Sequence, residues 1–270
     1  MSKKDEKVEQ FFSDFKKMLE NTDNFVACYL IGSYAYGTYV DKVSDLDITI
    51  IFDGDNFEKQ KRNIEKMTNK YDLEIHVCYF SKQYIFKNQN SDDIRNIWNC
   101  KITNYFICGE DILQKFELPN VKDYIKNTLM NTLNEIKELK ETNLTNYQDK
   151  YLEIKNDIKL YITLRDGKPC TKQAVVVCTM MAATFIAKDF SIYSASKDHA
   201  INNYKDRYDD GMYMFEIFDA CKYKWKYQVP KAEEDLKIFE EYCKYLTYKK
   251  NQLLEKFNEY IGEENEFSLL

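Results

Sequence analysis

Apolar residues recur along this chain with two different periods, and the change of period marks out the elements. Val8, Phe11 or Phe12, Phe15, Met18 and Leu19 keep helical spacing until the polar stretch "NTDN" interrupts them, which predicts an amphipathic helix over 4–21. "NFVACYLIGS" has the pattern of a buried strand ending at Gly32, and "DLDITIIFD" that of a second strand whose start alternates acid with apolar. The charged run "NFEKQKRNIEKMTNK" predicts an exposed helix between residues 55 and 70, and "YDLEIHVCYF" a third strand. After Phe116 the texture changes. "ELPN" holds one of only three prolines, and helical spacing then fills 121–140, 146–164, 171–188, 195–208, 211–225 and 231–259 with no further strand.

The expected fold class is therefore α+β. An N-terminal domain over 1–116 holds a small mixed sheet with helices, and an all-helical domain follows over 117–270.

The two strand signals place acids together. Asp45 and Asp47 lie two apart, so on a strand both point to one face, roughly 7 Å from each other, while Leu46, Ile48 and Ile50 point into the core. On the third strand Asp72, Glu74 and His76 share a face opposite Leu73, Ile75 and Val77. With neighbouring strands about 4.8 Å apart, Glu74 can complete a triangle with the two aspartates. Carboxylates on one face are expensive unless solvated, paired or holding a cation, and hard divalent cations favour carboxylate oxygen. The pair alone fits a solvated strand edge equally well. What precedes it changes the balance: the chain has seven glycines, and two of them, Gly32 and Gly37, stand five apart in "IGSYAYGT" at the end of the first strand. Gly32 allows close backbone approach, and Ser33 with its own N–H can donate to phosphate oxygens. Gly37 and Thr38 fit either a phosphate loop or a helix cap and turn.

Gly32-Ser33, eleven intervening residues, Asp45-x-Asp47 and the later triplet Leu73-Glu74-Ile75 together resemble the nucleotidyltransferase superfamily that includes polymerase beta, above all its antibiotic-modifying (aminoglycoside) branch. The resemblance covers residues 25–80. It implies that a nucleoside triphosphate, ATP or another NTP, binds with magnesium, two ions being expected, and that Gly32 and Ser33 hold its phosphates. It also implies that Asp45 and Asp47 ligate metal, and that Glu74 ligates metal or takes the acceptor's proton; His76, on the same strand face as Glu74, is the second candidate for that base. The implied acceptor is a small hydroxyl-bearing molecule of the aminoglycoside type, bound by the helical domain. Transfer to RNA or protein, or nucleotide binding without turnover, are the alternatives. One position departs from the family: Tyr36 stands where relatives often carry Arg. The missing positive charge is then sought in Lys42 and in "TLRDGKPCTKQA", which offers Arg165, Lys168 and Lys172. Ser196-Lys197-x-x-Ala200 also matches a helix start in those relatives, with Ser194 or Ser196 as its cap.

Composition limits the partners. The net charge of -6 argues against broad nucleic-acid binding and suits a cationic small molecule. Eight scattered cysteines, without metal-type spacing, read as buried thiols of a reducing cytoplasm. "MSKKDEKVEQ" has no apolar signal core, and "AVVVCTMMAATFIA" is too short to span a bilayer, so no membrane association is expected. That apolar run fits an internal core helix or a homodimer face.

Overall fold

A computed structural model describes residues 3–39, 44–141, 158, 160–165 and 167–256. The chain divides into two compact units, Met1–Pro119 and Asn120–Leu270.

In the first unit, helix α1 (Lys3–Glu20) buries Val8, Phe11, Phe15 and Leu19, a single stripe at spacings of three and four. Phe11 is thus the core residue, while Phe12 and Met18 flank it half-buried. Strand β1 (Phe25–Ile31) leads into a single helical turn, α2 (Gly32–Ala35), and then into β2 (Leu46–Phe52). Helix α3 (Glu58–Thr68) buries only Ile64 and Met67, and it carries the chain to β3 (Ile75–Ser81). A short α4 (Lys82–Lys87), capped by Ser81, and α5 (Arg95–Thr103) precede β4 (Phe106–Gly109).

The sheet runs β3-β2-β1-β4. β1 is antiparallel to both β2 and β4, and β2 is parallel to β3. The sheet is therefore mixed, as expected, and α3 is the crossover that parallel neighbours require. The edge strand β4 was not expected, because four residues are too few to display an alternation.

Leu30, Leu46, Ile48 and Ile50 pack with α1 and α3 on one face of the sheet. On the other lies α5, whose Asn96 Nδ2 donates to Cys78 Sγ at 2.9 Å. A central strand covered on both sides explains why β2 reads as a nearly continuous apolar run after Asp47.

Among its described residues, the second unit is helical except for one hairpin. Helix α6 (Val121–Glu141) comes first. The helix expected over 146–164 falls largely outside the described residues, and its last residues are not helical. Thr163–Arg165 (β5) pairs antiparallel with Lys168–Cys170 (β6), Arg165 opposite Lys168. The hairpin is a small departure within the helical C-terminal region that was expected, and Gly167, just before β6, takes φ +71.

Helix α7 (Lys172–Phe190) is long and apolar enough, by length and composition, to cross a membrane, and so exceeds the shorter run seen in the sequence. Most of it is buried: Val175, Cys178, Met181, Ala182 and Ile186 are all inaccessible. It packs against α6 and against α8 (Lys197–Lys205), α9 (Gly211–Asp219) and α10 (Glu233–Lys256), the position of a core helix. Ser196 is the cap of α8, its Oγ accepting from His199 N at 3.0 Å.

Among the described residues of this unit, the buried cations Lys222 and Lys249 each meet a carboxylate. Lys222, on a π-helical turn following α9, meets Asp198 at 2.8 Å, and the same carboxylate accepts from Tyr223. Lys249 meets Asp210 at 2.8 Å, where Tyr204 and Tyr245 also donate, and its ammonium lies over the rings of Phe185 and Tyr204. Each pair meets the requirement that a buried charge be matched and hydrogen-bonded.

Candidate active site

The candidate site forms where β1 ends and β2 and β3 begin. Ile31, the last residue of β1, pairs with Asp47 of β2, so the next residue, Gly32, reaches the Asp47 side chain. Gly32 has φ +73, and a β-carbon added to it would come within 2.2 Å of Asp47 Oδ2. Both the backbone conformation and the close approach require glycine here.

The turn that follows is held by its own backbone. Gly37 N donates to Tyr34 O at 3.1 Å and Thr38 N to Ser33 O at 2.9 Å, with the Thr38 hydroxyl also on Ser33 O. Gly37, at φ +70, reverses the chain, and nothing lies near its Cα on the side a β-carbon would occupy. Of the two readings of Gly37 and Thr38, the turn is the one visible in these bonds. Ser33 differs: its Oγ is buried and has no hydrogen-bond partner among the described residues. Such a hydroxyl calls for a bound water, an ion or a ligand oxygen as its partner.

The acids stand in a defined register. β2 and β3 pair with Leu46 beside Ile75 and Asp47 beside His76, and Leu46 N donates to Glu74 O at 2.8 Å. Asp45 and Glu74 are therefore neighbours just before their strands. Asp72, Glu74 and His76 are exposed while Leu73, Ile75 and Val77 are half-buried, the alternation the sequence predicts. The residue level with Asp47 is thus His76, and the one level with Asp45 is Glu74. Among the described residues no three His, Cys, Asp or Glu side chains are gathered closely enough to hold a metal ion.

Two residues near the acids were not anticipated. Burial raises the Tyr39 hydroxyl's pKa, and the charges of Glu74 and Asp45 raise it further, so this half-buried ring lies close to both acids. Its edge meets Tyr34, with ring centroids 5.5 Å apart. Cys78 lies next on the acid face after His76. Burial raises its pKa and so does Asp47, while the bond from Asn96 opposes them. The spacing 74, 76, 78 on one strand face was the available signal for Cys78. Nothing in the sequence pointed to Tyr39.

Tyr36, at the departing position, is half-buried, and its hydroxyl lies 3.2 Å from Thr103 Oγ1 on α5. Burial raises its pKa, so it provides a neutral hydroxyl. Of the cationic candidates, Lys42 lies outside the described residues. Arg165 ends β5, Lys168 opens β6 and Lys172 opens α7, all three in the second unit.

Residues 8–102 match the family model described as "Nucleotidyltransferase domain". The first unit carries a nucleotidyltransferase domain. Gly32, Ser33, Asp45, Asp47 and Glu74 all fall inside the matched residues, and the chemistry of this family is nucleotidyl transfer. No curated protein matches the chain. Among solved structures, the crystal structure of spectinomycin adenyltransferase AAD(9) from Enterococcus faecialis with ATP and spectinomycin is similar at 16% identity and a TM-score of 0.48. The likeness covers 90% of this chain and 98% of that chain.

Proposed function

We propose that this protein moves a nucleoside monophosphate, AMP from ATP, onto a hydroxyl of a small acceptor and releases pyrophosphate. The observation that carries the reading is the buried, unpartnered Ser33 hydroxyl beside a glycine pressed against Asp47. A triphosphate oxygen would satisfy Ser33 Oγ, and the Ser33 and Gly32 amides lie on the same turn.

The donor set fits magnesium without a three-ligand cage. Magnesium is commonly held by one or two carboxylates, its remaining positions being filled by phosphate oxygens and water. Asp45 and Asp47 are the residues that would hold it. Bound there, the metal would offset the charge that develops on the phosphate oxygens during in-line attack.

The chain's own residues supply the rest. Glu74, exposed and level with Asp45, takes the proton from the attacking acceptor hydroxyl. His76 is the competing base, level with Asp47. Tyr39 keeps its proton beside Asp45 and Glu74 and can donate a hydrogen bond to the acceptor or to Glu74. The helical unit serves acceptor binding, and Lys42, close in sequence to the Gly32-Ser33 turn, is the cation for the triphosphate. An acidic chain suits a cationic acceptor such as an aminoglycoside-type antibiotic.

Two measurements test this. Calorimetry with ATP and magnesium should give metal-dependent binding to the wild type and none to Asp47→Asn. Labelled nucleoside triphosphates should then be offered with aminoglycosides, lincosamides, RNA and cell proteins. Transfer of label to RNA alone would overturn the small-acceptor reading, and binding that ignores magnesium would overturn the chemistry.

A further inference from the structure

Cys28 on β1 and Cys108 on the edge strand β4 are direct partners across an antiparallel pair. Partners of this kind have Cα atoms about 4.5 to 5.5 Å apart and side chains on one face. That range lies inside the roughly 4.4 to 6.8 Å that disulfides span. Both thiols are reduced and buried, at 0% and 4% exposure, in the cluster that includes Phe15 and Leu19 of α1. The pairing shifts register between Cys28 and Tyr29, a local irregularity at the edge of the sheet that adds twist where the two cysteines meet.

We propose that Cys28 and Cys108 form a reversible disulfide that ties β4 to β1 when the protein meets an oxidising low-molecular-weight disulfide. This role is independent of the nucleotidyl-transfer reading. The two thiols do not titrate alike. The hydrogen bond from Cys28 lowers the pKa of Cys108 and outweighs burial and the Glu20 charge, which raise it, with Lys16 adding to the lowering, while burial holds Cys28 protonated. Cys108 is therefore the attacking group. Its thiolate attacks one sulfur of the small disulfide and releases one thiolate, leaving a mixed disulfide on Cys108. The Cys28 thiol then loses its proton and attacks the Cys108 sulfur, releasing the second small thiol. Two protein thiols are oxidised and one small disulfide is reduced to two thiols, so electrons and protons balance. Access requires β4 to loosen at its free edge, so the reaction is slow compared with that of an exposed thiol.

The test uses the full chain, reduced and then exposed to oxidised glutathione. Thiol counting in denaturant should fall from eight to six, and a non-reducing peptide map should show Cys28 joined to Cys108, reversed by dithiothreitol. The oxidised protein should melt at higher temperature and protect the β4 amides from hydrogen exchange. Cys108→Ser and Cys28→Ala should each abolish the cross-link, and Cys78→Ser, which removes a half-exposed thiol, should leave it intact. If Cys28→Ala does not fold, Cys108→Ser and the peptide map decide the matter alone. Retention of all eight thiols, glutathione attached to Cys78 only, or a bridge between any other pair would overturn the proposal.

Discussion

Gly32 and Asp47 are in such close contact that a single methyl group cannot be placed between them: the added carbon would stand 2.2 Å from the carboxylate oxygen. The first residue after β1 therefore sets where the second acid of the site can point. Gly32→Ala should lower stability by about 1 to 2 kcal/mol, the strain of a left-handed residue with a side chain. It should also displace Asp47, so magnesium-dependent ATP binding falls further than stability does. Thermal melts beside calorimetry on the same variant separate the two effects.

Glu74 and His76 compete for one role, and substitution distinguishes them. Glu74→Gln should reduce turnover by about 10²- to 10⁴-fold with ATP binding retained, the range expected for a lost general base. His76→Ala should change turnover by much less. The reverse order, read from single-turnover kinetics, would transfer the proton-accepting role to His76.

Asp210 makes the helical unit sensitive to acid. Burial pushes its carboxyl up, but the hydrogen bonds from Lys249, Tyr245 and Tyr204, together with the Lys249 charge, outweigh that and hold it below its ordinary value. A carboxylate lowered in this way contributes stability above its unfolded value, and that contribution is lost as pH falls through the folded one. Urea midpoints should hold steady from neutrality to about pH 4 and drop below it. Asp210→Asn should be less stable at pH 7, because it leaves Lys249 buried without its counter-charge, and its urea midpoint should drop less steeply below pH 4.

The pair Asp198 and Lys222 should behave as an interdependent unit. Lys222→Met leaves a buried carboxylate without its cation and should destabilise by about 3 to 5 kcal/mol. The double replacement Asp198→Leu with Lys222→Met should recover most of that loss. Denaturant curves on the two singles and the double measure the coupling directly.

The first unit was legible where burial is one-sided. Val8, Phe15 and Leu19, or Leu73, Ile75 and Val77, display their period because one face is wet, and they marked α1 and β3 to within a few residues. The site motif was legible for another reason, since a glycine and acids near strand ends carry meaning in their identity as well as their spacing. β4 and the β5–β6 hairpin were missed because three or four residues cannot express a period, and the two short strands β5 and β6 were hidden between two helical patterns. Tyr39 was missed because its nearness to Asp45 and Glu74 is set by tertiary packing. Likewise, that His76, and not Glu74, stands level with Asp47 is a matter of pairing register, which no single strand reveals.

The bond from Leu46 N to Glu74 O, with its parallel register, makes this site intolerant of a particular kind of change. Strand faces alternate, so deleting one residue between Asp47 and Phe52 would slide β2 by half a pleat against β3. Either the acids would turn inward and Leu46 outward, or the isoleucines beyond the deletion would turn outward. Lengthening the connection through α3 imposes no such penalty, because a crossover can absorb extra residues without moving either strand. Natural length variation compatible with activity should therefore collect between Asp53 and Tyr71 and be absent from the seven residues of β2.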